Sequence, residues 1–183
     1  MKKSTWILKQ MGWDIRGRIP DGVKKAVLIV APHTSLWDFA IGRIAFWHLG
    51  YDIKLLIKKE AFFWPFGGLL KKLGGMPVNR QKNTRMVETV AQMFHENDEL
   101  ILVITPEGTR KRVEKWKMGF YHISRLAKVP IALGWMDYAD KKGGIAKLLY
   151  PSGNIEKDMA EINGFYKGLR GKYPEKSTTI PLD

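Results

Sequence analysis

Cysteine is absent from the 183 residues, and that omission removes disulfides, a thiolate nucleophile and cysteine-ligated zinc. The chain fits a reducing compartment, and a covalent intermediate would need another nucleophile. No Gly-x-Ser-x-Gly elbow, Walker-type phosphate loop or dinucleotide-binding glycine fingerprint is present. His48, His95 and His122 have no His-x-x-x-His partner, so neither a metal site nor a cofactor is expected. No run reaches the roughly 18 apolar residues that span a bilayer; the nearest, residues 39–49, is interrupted by Arg43. Lys2 and Lys3 resemble the start of a signal peptide, but Trp6-Ile7-Leu8 is cut off by Lys9 and Gln10. Neither a spanning helix nor export is expected.

Acidic residues are scarce. Eighteen Asp and Glu stand against 31 Lys and Arg, a net charge of +13 that favours phosphates, anionic lipid, nucleic acid or an acidic partner. Seven Trp and eight Phe mixed with lysines suit a membrane interface at least as well as a nucleic-acid face. Two stretches have that character: residues 2–13, with Trp6, Ile7, Leu8, Met11 and Trp13, and residues 58–72, with Phe62-Phe63-Trp64-Pro65-Phe66 between lysine pairs. The competing explanation for each ring is the core.

Apolar strand candidates at residues 27–30, 53–57, 100–104, 131–135 and 147–150 alternate with helical patterns, which argues for a single α/β domain. The clearest helix spans about residues 84–95, with Met86, Val87, Val90, Met93 and Phe94 on one face and Asn83 as its cap. Residues 35–48, 118–127 and, more weakly, 155–169 are further helices. Phe66-Gly67-Gly68, Gly74-Gly75 and Lys142-Gly143-Gly144 read as turns, and the tail from Tyr173 as loosely held.

Two strand candidates end in polar chemistry. After residues 27–30 comes Pro32-His33-Thr34-Ser35-Leu36-Trp37-Asp38, at the edge where open α/β sheets place their sites. An imidazole with a carboxylate behind it is a base with its orienter, because the carboxylate holds the tautomer and stabilises the imidazolium. Ser35-Leu36-Trp37-Asp38 equally fits a capping box, in which Asp38 only satisfies the helix start. After residues 100–104 comes Thr105-Pro106-Glu107-Gly108-Thr109-Arg110, which also reads as a type I turn with Glu107 merely exposed. Arg80, after Gly74-Gly75-Met76-Pro77-Val78-Asn79, could grip a phosphate with its planar fork of donors. Lys111, Arg112, Lys115 and Lys117 extend the positive field.

The order of these segments resembles the four blocks of the glycerolipid acyltransferase family, the 1-acylglycerol-3-phosphate acyltransferases. His33, Ser35 and Asp38 match its N-H-x-S-x-x-D block, with Pro32 in place of the asparagine, and Pro106 through Arg110 match F-P-E-G-T-R, with Thr105 for the phenylalanine. Trp116-Lys117-Met118-Gly119 is similar to the downstream aromatic-Lys-x-Gly segment. Gly74 and Arg80 keep the second block, where Asn79 replaces the aspartate and Pro77 the aromatic; Val129-Pro130-Ile131 keep the fourth, with Leu133 where a second proline is common.

The resemblance implies one acyltransferase domain over residues 1–183, with residues 1–20 as an interfacial segment and a mostly parallel central sheet flanked by helices. It makes His33 the general base and Asp38 its orienter, in direct transfer from acyl-CoA or acyl-carrier protein without an acyl-enzyme. Arg80, Glu107, Gly108, Thr109 and Arg110 would bind the acceptor, with backbone amides helping to hold the oxyanion. The implied acceptor is a lysophospholipid, 1-acylglycerol-3-phosphate first and a lyso-aminolipid or saccharide lipid second. The implied partner is an anionic membrane surface rather than nucleic acid, on the cytoplasmic side. A metal-dependent hydrolase and a non-catalytic basic binding protein are the rival classes.

Overall fold

The computed structural model of the chain describes residues 3–78 and 85–178. Along them run α1 (Lys3–Gln10), β1 (Asp14–Arg16), β2 (Lys25–Ala31), α2 (Leu36–Leu49), β3 (Ile53–Lys58), α3 (Phe66–Lys72), β4 (Gly75–Val78), α4 (Met86–Glu96), β5 (Leu100–Ile104), α5 (Gly119–Ala127), β6 (Ile131–Asp137), β7 (Lys142–Leu149) and α6 (Ile155–Tyr166). The strands form one sheet in the order β1-β7-β6-β2-β5-β3-β4. The expected α/β architecture is borne out: β6, β2, β5, β3 and β4 are parallel neighbours, and β7 is antiparallel to β6.

The two-residue period of a strand explains the two cores. Val27, Ile29 and Ala31 of β2, Leu100 and Leu102 of β5, and Ile131 and Leu133 of β6 face one side, where Val90, Phe94, Phe120, Ile123 and Ile162 of α4, α5 and α6 cover them. Ala26, Leu28, Ile101, Val103 and Ala132 face the other side and meet Phe46 of α2. A sheet buried on both faces reads as continuous apolar runs, which is why these central strands stand out in the sequence. Phe94 and Phe120 are each 1% exposed, and burying such a ring stabilises by about 1.5–3 kcal/mol.

The glycine pairs depart from expectation. Lys142, Gly143 and Gly144 open β7 instead of forming a turn, because β7 lies between β1 and β6 and the backbones approach closely there. A Cβ on Gly144 would collide with the Arg16 carbonyl, and one on Gly143 would sit 2.9 Å from the Trp135 carbonyl. Phe66-Gly67-Gly68 begins α3, and Gly75 begins β4 after a turn at Gly74 with φ +84°. The last long helix stops at Tyr166, before Gly168 at φ +88°. Strand β1 was missed because its three residues show no run of buried apolar positions. Asn83 and Thr84, the expected start of α4, lie outside the described residues, where Met86 is the first α-helical position.

The N-terminal stretch forms a short helix whose apolar side is core. Leu8 and Trp13 are 3% and 6% exposed and pack with Ile41 and Met136, leaving Trp6 at the surface. The segment from Tyr173 to Thr178 is held by backbone hydrogen bonds, including a short 3-10 turn at Pro174–Lys176. Among the described residues, no helix is long and apolar enough to cross a membrane.

Candidate active site

Three neighbouring strands deliver the site. Central β2 exits at Ala31 into the loop carrying His33; β5, its neighbour on one side, exits into Glu107; β6, its neighbour on the other, exits into Tyr138. All three exits are carboxyl ends of parallel strands.

His33 Nδ1 lies 3.1 Å from Asp38 Oδ2. The same oxygen accepts the amides of Thr34 at 2.7 Å and Ser35 at 2.8 Å, and Oδ1 accepts the Tyr138 hydroxyl at 2.6 Å. The capping box is formed as well: Ser35 caps α2 while the Asp38 carboxylate returns to the Ser35 amide. The two readings of this segment are therefore one arrangement. The helix start that fixes Asp38 also aims it at the imidazole. The spacing of five then follows, because His33 lies in the loop before the N-cap and Asp38 at the third helical position.

Asp38 is 6% exposed. Burial alone would raise its pKa, but hydrogen bonds from His33, Tyr138 and the Ser35 and Thr34 amides outweigh it and hold the carboxyl below its ordinary value. Ionised Asp38 accepts the Nδ1 hydrogen, which in the neutral tautomer of an imidazole leaves the lone pair on Nε2 free to take a proton. Nε2 takes no partner among the described residues, and the His33 side chain is 20% exposed. Burial, and then the hydrogen bond to Asp38, push the Tyr138 hydroxyl pKa far up, so it stays a donor.

Glu107 is not exposed, as the turn reading requires, but 2% accessible. Its Oε1 and Oε2 accept the His33 backbone amide at 3.1 and 3.0 Å, tying the exit of β5 to that of β2. The turn itself is present, with the Gly108 amide donating to the Thr105 carbonyl at 3.0 Å. That amide is engaged, so any oxyanion donor must come from elsewhere. Burial, opposed in part by the hydrogen bond from the His33 amide and aided by the Asp38 charge, raises the Glu107 pKa to about 8. At neutral pH the site holds one ionised and one largely protonated carboxyl, an arrangement that separates their roles.

Gly108, Thr109 and Arg110 continue the same loop. Thr109 Oγ1 accepts the Lys111 amide at 3.3 Å, and Arg110 is exposed with no ion pair among the described residues. The Lys117 side chain lies over Gly108, where a Cβ would be 3.1 Å from its Cδ. Arg80 lies outside the described residues. Tyr138 escaped sequence reasoning: it is 100 residues from Asp38 and belongs to none of the blocks. Its one signal is that it follows a buried strand at the active edge. Among the described residues, no group of three or more His, Asp or Glu side chains is placed to hold a metal ion.

The chain is thus an α/β domain with a mostly parallel sheet that sets a histidine and a carboxylate together at the carboxyl edge of its central strands. Residues 14–133 match the sequence model of the Acyltransferase family, and the chain belongs to that family as an O-acyltransferase. The fold is similar to the crystal structure of the 1-acyl-sn-glycerophosphate (LPA) acyltransferase PlsC from Thermotoga maritima, at TM-score 0.61 and 16% identity over 90% of this chain and 73% of that one. No curated protein matches the chain.

Proposed function

We propose that the protein transfers a fatty acyl group from acyl-CoA or acyl-carrier protein to the hydroxyl of a lysophospholipid, 1-acylglycerol-3-phosphate first among acceptors, in phospholipid biosynthesis at a membrane surface. The observation that carries this is the His33–Asp38 pair with Nε2 unengaged, 3.1 Å between Nδ1 and Oδ2. Nε2 takes the acceptor's proton as its oxygen attacks the thioester carbonyl. The tetrahedral intermediate collapses and expels the thiolate, and the His33 imidazolium returns the proton to that sulfur. Neither step needs an enzyme nucleophile, in keeping with a chain free of cysteine. Arg110 and Lys117 near the Glu107 loop, with Arg80, supply cations for an acceptor phosphate.

A membrane partner is supported by the segment between β3 and β4 rather than by the N-terminus. Trp64 is 90% exposed, with Phe63, Phe66 and Leu69 at 59%, 53% and 55%. Exposed Lys58, Lys59, Lys71 and Lys72 bracket them, the pattern of a face seated among anionic headgroups. Leu36 and Trp37, at 69% and 52% exposure in the first turn of α2, add apolar surface at the catalytic edge. A lysolipid would then reach His33 without leaving the bilayer surface entirely.

The test is an acyl-transfer assay of both donors against a panel of lysolipids, including lyso-aminolipid and saccharide-lipid acceptors. Turnover of 1-acylglycerol-3-phosphate above the others is expected, and turnover of another acceptor alone would reassign the substrate. Arg80→Ala should raise KM for the phosphorylated acceptor more than it lowers kcat.

A further inference from the structure

After α6 the chain turns at Gly168 and crosses the catalytic edge. The strap starts from a fixed point, because the Tyr166 hydroxyl donates to the carbonyls of Ile29 at 3.1 Å and Gly134 at 2.7 Å, on β2 and β6. Arg170 then accepts the Tyr138 backbone amide at 2.9 Å, and the Tyr173 amide donates to Thr34 Oγ1 at 3.2 Å. Lys172 Nζ stands 4.8 Å from the Trp37 ring centre, and Thr178 Oγ1 accepts the Val113 amide at 3.4 Å. One stretch of chain thus touches the His33 loop, the Tyr138 turn and the loop beyond Glu107.

Gly171 is the closest point of contact. A Cβ built on it would lie 2.6 Å from Thr34 Cγ2 and 2.7 Å from Thr34 Oγ1, so the strap rests its bare backbone against the Thr34 side chain. Thr34 is 2% exposed, and its amide is one of the two that hold Asp38 Oδ2. A displaced Thr34 therefore displaces the carboxylate that orients the base. Tyr138 and the whole strap lie beyond residues 14–133, outside the span shared with the family.

We propose that residues 170–178 are a positioning element of the catalytic site, in which Gly171 and the Tyr173 amide clamp Thr34 and so fix the loop that holds Asp38 against His33. The clamp's role in turnover rests on the acyl-transfer reading above; its mechanical role does not. A loop exit needs such a restraint because its backbone is otherwise the least stable part of a site, and a shift of about 1 Å can cost roughly a hundredfold in rate.

The experiment uses the 183-residue chain and the variants Thr34→Val, Thr34→Ser and Gly171→Ala, with exposed Glu88→Ala on α4 as control. Hydrogen exchange of the Ser35 amide, which donates to Asp38 Oδ2, reads the loop directly, and kcat and KM with acyl-CoA and 1-acylglycerol-3-phosphate read its consequence. Thr34→Val should speed that exchange about tenfold and lower kcat about tenfold at nearly constant KM, and Gly171→Ala should lower kcat by up to about a hundredfold. Thr34→Ser keeps the oxygen that the Tyr173 amide bonds but loses the methyl under Gly171, so it should fall between wild type and Thr34→Val, and Glu88→Ala should behave as wild type. Wild-type exchange and a kcat within about twofold in folded Thr34→Val would overturn the proposal, whether or not Gly171→Ala folds. If the wild type turns over no acceptor, faster Ser35 exchange in Thr34→Val still upholds the clamp while the acyl-transfer reading falls.

Discussion

The exits of β2 and β5 lie side by side and each ends in a buried carboxyl, yet the two environments hold those groups in opposite states. At the β2 exit, Asp38 meets four hydrogen-bond donors and stays ionised below its ordinary pKa. At the β5 exit, Glu107 receives one backbone amide, shared between its oxygens, and burial lifts it to about 8. The donors, not the depth, decide the outcome, since both residues are under 10% exposed. One carboxyl is thereby suited to stabilise an imidazolium, the other to join two loops.

This contrast is broken most severely at the base. His33→Ala should lower kcat by about two to four orders of magnitude in a protein with unchanged circular dichroism. Asp38→Asn should cost about a hundredfold or more, because the amide cannot hold the imidazole in the working tautomer. It should also destabilise the start of α2, read as a lower Tm. Tyr138→Phe removes one charge-assisted bond, and we expect a smaller loss in kcat, about tenfold or less, with up to about 1.5–3 kcal/mol of stability. Glu107→Gln should leave turnover the closest to wild type of these variants, because the acceptor for the His33 amide survives.

The smallest effect is the most diagnostic of Glu107. A carboxyl whose folded pKa is raised contributes stability that is full below its unfolded value and is lost as pH rises through the folded one. Wild-type stability should therefore decline between pH 4.5 and about 8, and Glu107→Gln should flatten that decline in melts across the range. Asp38 has the opposite sign: its contribution is present above its ordinary value of 3.8 and is lost as pH falls through its lowered one. A wild-type Tm that stays flat up to pH 8 would contradict a buried, protonated Glu107.

Local patterns carried the legible part of this molecule. The central strands announce themselves because both of their faces are buried, and His33 with Asp38 is legible because loop, cap and base fall within six consecutive residues. The end of β7 was legible at residues 147–149, but its start hid behind glycines that close backbone packing requires, and that packing is set by distant partners. Tyr138 and Gly171 were illegible for the same reason, since each acts through contacts with a segment more than 90 residues away. Glu107 was found by its block, but its burial, and so its charge state, depends on the neighbouring exit of β2. The aromatic segments show the limit of composition: Trp13 and Trp64 both belong to stretches that mix aromatic residues with lysines, yet one is 6% and the other 90% exposed.

The most direct test of the account is a double-mutant cycle on kcat with His33→Ala, Asp38→Asn and the double variant, each confirmed as folded. If Asp38 acts by holding His33, its loss should cost little once the imidazole is gone, and the double variant should match His33→Ala to within about a few fold. Losses that simply multiply would contradict a base and orienter working as one unit.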